Sequence, residues 1–152
     1  MIHPQILKVN HAAPEAAADV PTLPGTYALI LEAKESGIIG IGKLGPLAIE
    51  PGFYVYTGSA FGPGGLRARL RHHLNPDSKI HWHIDYLRRA TEIVEIRYWV
   101  GPKRLEHKVA KTFRAIPGAV VPLARFGASD CKCEAHLVYY KGKPHDRISF
   151  PL

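Results

Sequence analysis

Cysteine is almost missing from this 152-residue chain, and the two that occur, Cys131 and Cys133, stand one residue apart. A pair that close provides no disulfide framework, and a bridge between them would be strained, so the fold must rest on ordinary burial. Long apolar runs are missing too. No stretch of about 18 apolar residues occurs, which argues against a spanning helix. The opening MIHPQILKVN lacks the apolar run and cleavage pattern of a secretory signal. A reducing cytoplasm is the expected setting, with no membrane partner. Acid is the scarcer charge: 13 Asp and Glu face 20 Lys and Arg, a formal +7 before nine histidines are counted. The isoelectric point near 9.5 favours an anionic partner, and the clustering of Arg and His between residues 67 and 89 favours nucleic acid.

What is present is enough for one ordinary core, with 46% hydrophobic residues, and too little for two full-sized domains. Residues 11–24, HAAPEAAADVPTLP, carry prolines that break any helical or strand period. Residues 1–22 are therefore expected to be an arm or linker, 23–140 the domain and 141–152 a polar tail.

The stretch GFYVYTGSAFGPGGLRARLRHHL, residues 52–74, organises the rest. Phe53 to Tyr56 reads as a buried strand, Thr57 to Gly65 as a Gly-rich turn, and a basic helix opens near Gly65. Leu66, Leu70 and Leu74 fall on one stripe of that helix, with Arg69 and His73 on one shoulder and Arg67 and Arg71 on the other. Other strands are expected at 25–31, 91–100, 120–123 and 136–140, and a hairpin within 38–49. Further helices are expected at 78–90 and 103–116. This is an α/β (α+β) fold, a small mixed or antiparallel sheet flanked by about three helices.

Several residues carry chemistry. His81 and Asp85 stand one helical turn apart, a spacing that orients an imidazole or holds a metal; they and Arg88 and Arg89 read first as surface or phosphate contacts. Cys131, Cys133 and His136 are donors that zinc prefers, but nothing nearby in sequence completes four ligands, so zinc is disfavoured. Two tripeptides, Gly25-Thr-Tyr27 and Tyr56-Thr-Gly58, precede the helix with Arg69 and His73, and Glu106 opens a later helix.

That order resembles the GIY-YIG endonuclease superfamily, and the run GFYVYTGSA, GGLRARLRHH, HWHIDYL, SDCKC, HL resembles its small stand-alone branch, often labelled only as a domain of unknown function. The resemblance spans about residues 23 to 140. It implies catalytic roles for Tyr27, Tyr56, Arg69, His73 and Glu106, with Glu106 holding Mg2+ or Mn2+. The implied activity is metal-dependent hydrolysis, by nicking, of phosphodiester bonds in nucleic acid, DNA favoured over RNA. Arg67, Arg71, Arg88, Arg89, Lys103 and Lys108 would track the backbone.

The chain departs from the pattern twice. First, 28 residues lie between Tyr27 and Tyr56, a longer spacer than the family's, with room for the extra hairpin. Second, the family's late Asn is missing, since Asn10 and Asn75 both precede Glu106. Ser129, Asp130 or His136 takes its place, or the scaffold is a catalytically inactive nucleic-acid-binding or adaptor domain. The oligomeric state is left open.

Overall fold

The computed structural model describes residues 3–128 and 132–151. Its centre is a pair of nine-residue strands, β2 (Gly25–Ala33) and β5 (Gly52–Ala60), which run antiparallel with Tyr27 opposite Gly58. Both are near-continuous apolar runs because both of their faces are covered. β6 (Glu92–Val100) pairs with the free side of β2 through a bulge at Ile30 and Leu31. β7 (Leu137–Tyr140) pairs outside β5, and β1 (Gln5–Lys8) outside β6. The order is β1-β6-β2-β5-β7, antiparallel throughout. The hairpin β3 (Gly37–Gly40) and β4 (Pro46–Ile49) forms a separate two-stranded sheet in the spacer between the tripeptides, as expected.

Three helices cover the sheet: α1 (Gly65–Leu74), α2 (His83–Leu87) and α3 (Glu106–Ala115). Leu66, Leu70 and Leu74 of α1 are fully buried with Ile84 and Leu87 of α2, in one cluster with Tyr27, Leu29, Tyr56 and Ile96. A second cluster joins Ala28, Ile30, Val55 and Trp99 to Val109 and Phe113 of α3. At about 2–5 kcal/mol for each buried leucine cut back to alanine, the α1 stripe is a major part of what holds the helix to the sheet. Among the described residues no helix is long and apolar enough to cross a membrane.

Several boundaries differ from expectation, each for a local reason. β5 does not turn at Thr57. It continues through Gly58 to Ala60, because β2 matches it to its end and Thr57 N–H donates to the His136 carbonyl at 2.9 Å. The helix expected over 78–90 is confined to His83–Leu87, because the Asp85 carboxylate accepts the N–H groups of His81 and Trp82 at 2.8 and 2.9 Å and caps the helix there. Helix α3 starts at Glu106 instead of 103, and the strand expected over 120–123 is a single bridge from Val120 to Tyr139.

The stretch read as an arm supplies β1 and a 3-10 turn, Pro14–Ala17, with Ala17 and Val20 buried. Beyond residue 140, Phe150 is buried against Trp99 and Phe113, at ring-centroid distances of 4.9 and 5.4 Å. Both ends meet at Glu95. Its carboxylate, fully buried, pairs with Lys8, with Lys143 at 2.9 Å and with Arg97 at 2.7 Å. Burial alone would raise this acid; hydrogen bonds from Lys8, Lys143 and Arg97 outweigh it and hold the carboxyl down at about 2.

Candidate active site

The two tripeptides interlock. Gly58 lies across from Tyr27, and a Cβ at Gly58 would stand 2.5 Å from the Tyr27 hydroxyl, so only glycine leaves room for the ring. The ring, fully buried, reaches past β5 to α1, where its hydroxyl lies 2.6 Å from His73 Nε2. Burial pushes the Tyr27 phenol above its ordinary range, against the pull of Arg69. Burial, then the charge of Arg88, pushes His73 well below its ordinary value. Both groups are therefore neutral at pH 7, and the phenol O–H donates to the imidazole.

Asp85 stands behind this pair. One of its oxygens is 3.9 Å from His73 Nδ1 and 3.1 Å from His72 Nε2, and Arg88 reaches it at 3.2 Å. Burial disfavours its charge, but the N–H groups of His81 and Trp82 and the hydrogen bond from His72 outweigh that and hold the carboxyl low. The structure thus gives Asp85 a different partner from the one expected: His81 contributes its backbone N–H, and the imidazoles nearest the carboxylate are His72 and His73.

In front of the pair opens a cleft of about 400 Å³ whose walls include Tyr56, Ser59, Arg69, Trp82, Glu106 and His136. Arg69 is delivered there because α1 starts abruptly: Gly65 takes φ +58°, and a Cβ there would collide with the Leu23 carbonyl at 2.4 Å. Its guanidinium donates to the Ser59 carbonyl at 2.8 Å and lies 4.2 Å over the Trp82 ring. Two anchors leave the rest of a forked donor for an anion. Glu106, at the first turn of α3, places its oxygens 3.5 Å from Ser59 Oγ and 3.5 Å from His136 Nδ1. Burial pushes the Tyr56 phenol well above its ordinary range.

Tyr56, Arg69 and Glu106 therefore share one cleft, with Tyr27 and His73 one layer behind. Two of the arginines expected to track a nucleic-acid backbone are taken up inside the chain. Arg67 donates to the Val20 carbonyl at 2.7 Å, and Arg88 bonds to Asp85 and to the Asn75 carbonyl at 3.3 Å. Arg71, Arg89, Lys103 and Lys108 are exposed. Ser129, Asp130 and Cys131 lie outside the described residues. Cys133 is half-buried, and its Sγ is 2.8 Å from His107 Nδ1.

The sequence reading did not single out Ser59, His72 or His107. No local signal marks them, for each acquires its meaning from a partner in another segment. A larger hollow, about 480 Å³, is lined by Glu32, Lys34, Glu35, Arg89 and Glu92 among others, but its walls bring no tyrosine or histidine. The chemistry is in the smaller cleft.

Among known families, the model described as "Domain of unknown function DUF123" matches residues 26–149. No curated protein and no solved structure matches the chain.

Proposed function

The chain belongs to the DUF123 family, and we propose that it is a metal-dependent endonuclease of GIY-YIG type that nicks nucleic acid, DNA in preference to RNA. The observation that carries this reading is the convergence of Arg69, Tyr56 and Glu106 on one cleft in front of the hydrogen-bonded Tyr27–His73 pair. These are the residue types that phosphodiester hydrolysis requires: a donor for the charge that develops on the phosphate, an acceptor for the water's proton, and an oxygen ligand for a hard cation.

Arg69 binds the phosphate with the donors that Ser59 leaves over. Tyr56, on the cleft wall, positions the attacking water. As that water attacks, the proton it loses passes to the Tyr27 oxygen behind while the Tyr27 proton passes to His73 Nε2, so the phenol never has to ionise in its buried site. The resulting imidazolium is stabilised by the Asp85 carboxylate 3.9 Å from Nδ1. The half-buried Glu106 carboxylate, with Ser59 Oγ near it, suits a magnesium or manganese ion that keeps most of its own waters. Such an ion would supply charge neutralisation at the phosphate. The exposed Arg71, Arg89, Lys103 and Lys108 add a sequence-independent hold on the backbone, which weakens steeply with salt.

The test is nicking of supercoiled plasmid at low salt with Mg2+ or Mn2+ against EDTA. Wild type is expected to nick only with the ion. Arg69→Ala should slow the reaction about 10²–10³-fold, the usual effect of removing one donor to a developing oxyanion, and Glu106→Ala should abolish the metal-dependent rate. Salt-sensitive binding with no cutting of DNA or RNA by any divalent ion would overturn the reading in favour of a binding module.

A further inference from the structure

A second cluster adjoins the cleft, and its chemistry is different. His107 is the neighbour of Glu106 on α3, while Cys133 and His136 precede β7. The fold brings donor atoms of all three within 4.8 Å of one another. In sequence the two cysteines and His136 formed an incomplete set; His107, 26 residues before Cys133, is the ligand that only folding supplies. We infer that His107, Cys133 and His136 form a binding site for one zinc-class ion at the wall of the cleft.

The donor set selects the ion. One thiolate and two imidazoles are the borderline-soft ligands that zinc takes, and magnesium, which wants oxygen, has no use for them. The dimensions agree. Zinc bonds of about 2.0–2.3 Å arranged tetrahedrally put donor atoms about 3.3–3.8 Å apart, within the span of the cluster. His107 Nδ1 and Cys133 Sγ already approach to 2.8 Å as a hydrogen bond. Replacing its proton with a cation needs only that the exposed His107 ring swing outward slightly.

The surroundings are built to hold these ligands. Arg125, with the left-handed φ of 68°, donates from Nη1 to the Cys133 carbonyl at 2.7 Å and from its backbone N–H to the Glu134 carbonyl at 2.8 Å. His136 is fixed by its own N–H to the Phe126 carbonyl at 2.8 Å. These main-chain bonds fix the segment that carries Cys133 and His136. Three protein ligands leave a fourth position, and His107 and His136 both line the cleft. The ion would then present that position to a water or a phosphate oxygen. The inference does not depend on the nuclease reading, because it rests on a different set of side chains.

The test uses the full chain, reduced, stripped with chelator and titrated with zinc or cobalt(II) without oxygen. One zinc per chain should survive gel filtration, and cobalt should give the intense visible bands of a tetrahedral site with a thiolate charge-transfer band in the near ultraviolet. Cys133→Ser should remove that band. His107→Gln, at an exposed position, should weaken retention by about 100-fold or more, beyond what loss of an outer partner costs. Arg69→Ala, which cripples the proposed hydrolysis, should bind the ion as the wild type does. No retained zinc, a cobalt spectrum without thiolate charge transfer, or retention unchanged in both ligand variants while circular dichroism shows them folded, would overturn the site.

Discussion

At the scale of single residues, the tightest constraint is the one between Gly58 and Tyr27. A methyl placed 2.5 Å from the Tyr27 hydroxyl has no void to enter, since Tyr27 and Thr57 are both buried. Gly58→Ala should therefore displace the phenol from His73. The expected cost is about 1–3 kcal/mol, as for other overpacked cores, read as a lower urea midpoint, and the proposed nicking should slow at the same time. A stability loss without a change in rate would show that the Tyr27–His73 bond has no part in turnover. Tyr27, Tyr56, Arg69, His73 and Glu106 are named through the family resemblance, and the fold sets Tyr56, Arg69 and Glu106 on one cleft with Tyr27 bonded to His73 behind it. Ser59, His72 and His107 were invisible because their partners come from other segments.

At the scale of elements, the segment between α1 and β6 shows how one carboxylate sets a boundary. Asp85 gathers the N–H groups of His81 and Trp82, the His72 ring and the Arg88 guanidinium. Asp85→Ala should cost about 3–5 kcal/mol, because Arg88, almost wholly buried, loses its counter-ion. Thermal or urea unfolding measures this, and a change below about 1 kcal/mol would show that the network is dispensable. Periodicity alone overestimated this helix, since Ile80, Ile84 and Leu87 have helical spacing whether or not a cap interrupts them. The same limit explains β5: glycine in Tyr56-Thr-Gly58 looked like a turn signal, whereas here its small size, not its freedom of φ, is what the strand uses.

At the scale of the whole molecule, the central strands and the helices flanking a small sheet are legible in the apolar runs, while the strand order and the roles of the two ends are not. Alanine and proline around residues 12–24 looked like a linker, and nothing local announced that Lys8, Lys143 and Arg97 would converge on Glu95. That convergence makes stability depend on acid. The Glu95 carboxyl sits lower folded, at about 2, than unfolded, where glutamate titrates near 4.3. Its contribution is complete above the unfolded value and is lost as pH falls from about 4.3 towards 2. Unfolding free energy should decline through that window in the wild type, and Glu95→Gln should be less stable at pH 7 with a shallower decline. An equal slope in both would show that other carboxylates govern acid unfolding.

The placement of Glu95 also bears on the sequence of events as the chain assembles. β1 pairs only with β6, at the edge of the sheet, so Lys8 reaches Glu95, 87 positions away, only once β6 is in place, and the entropy of closing that loop must be met before the contact returns anything. Until then the buried carboxylate has Arg97 beside it but not Lys8. The connectivity thus favours a route in which the central strands form first, and the N-terminal strand closes over a waiting charge at the sheet's edge as a late step.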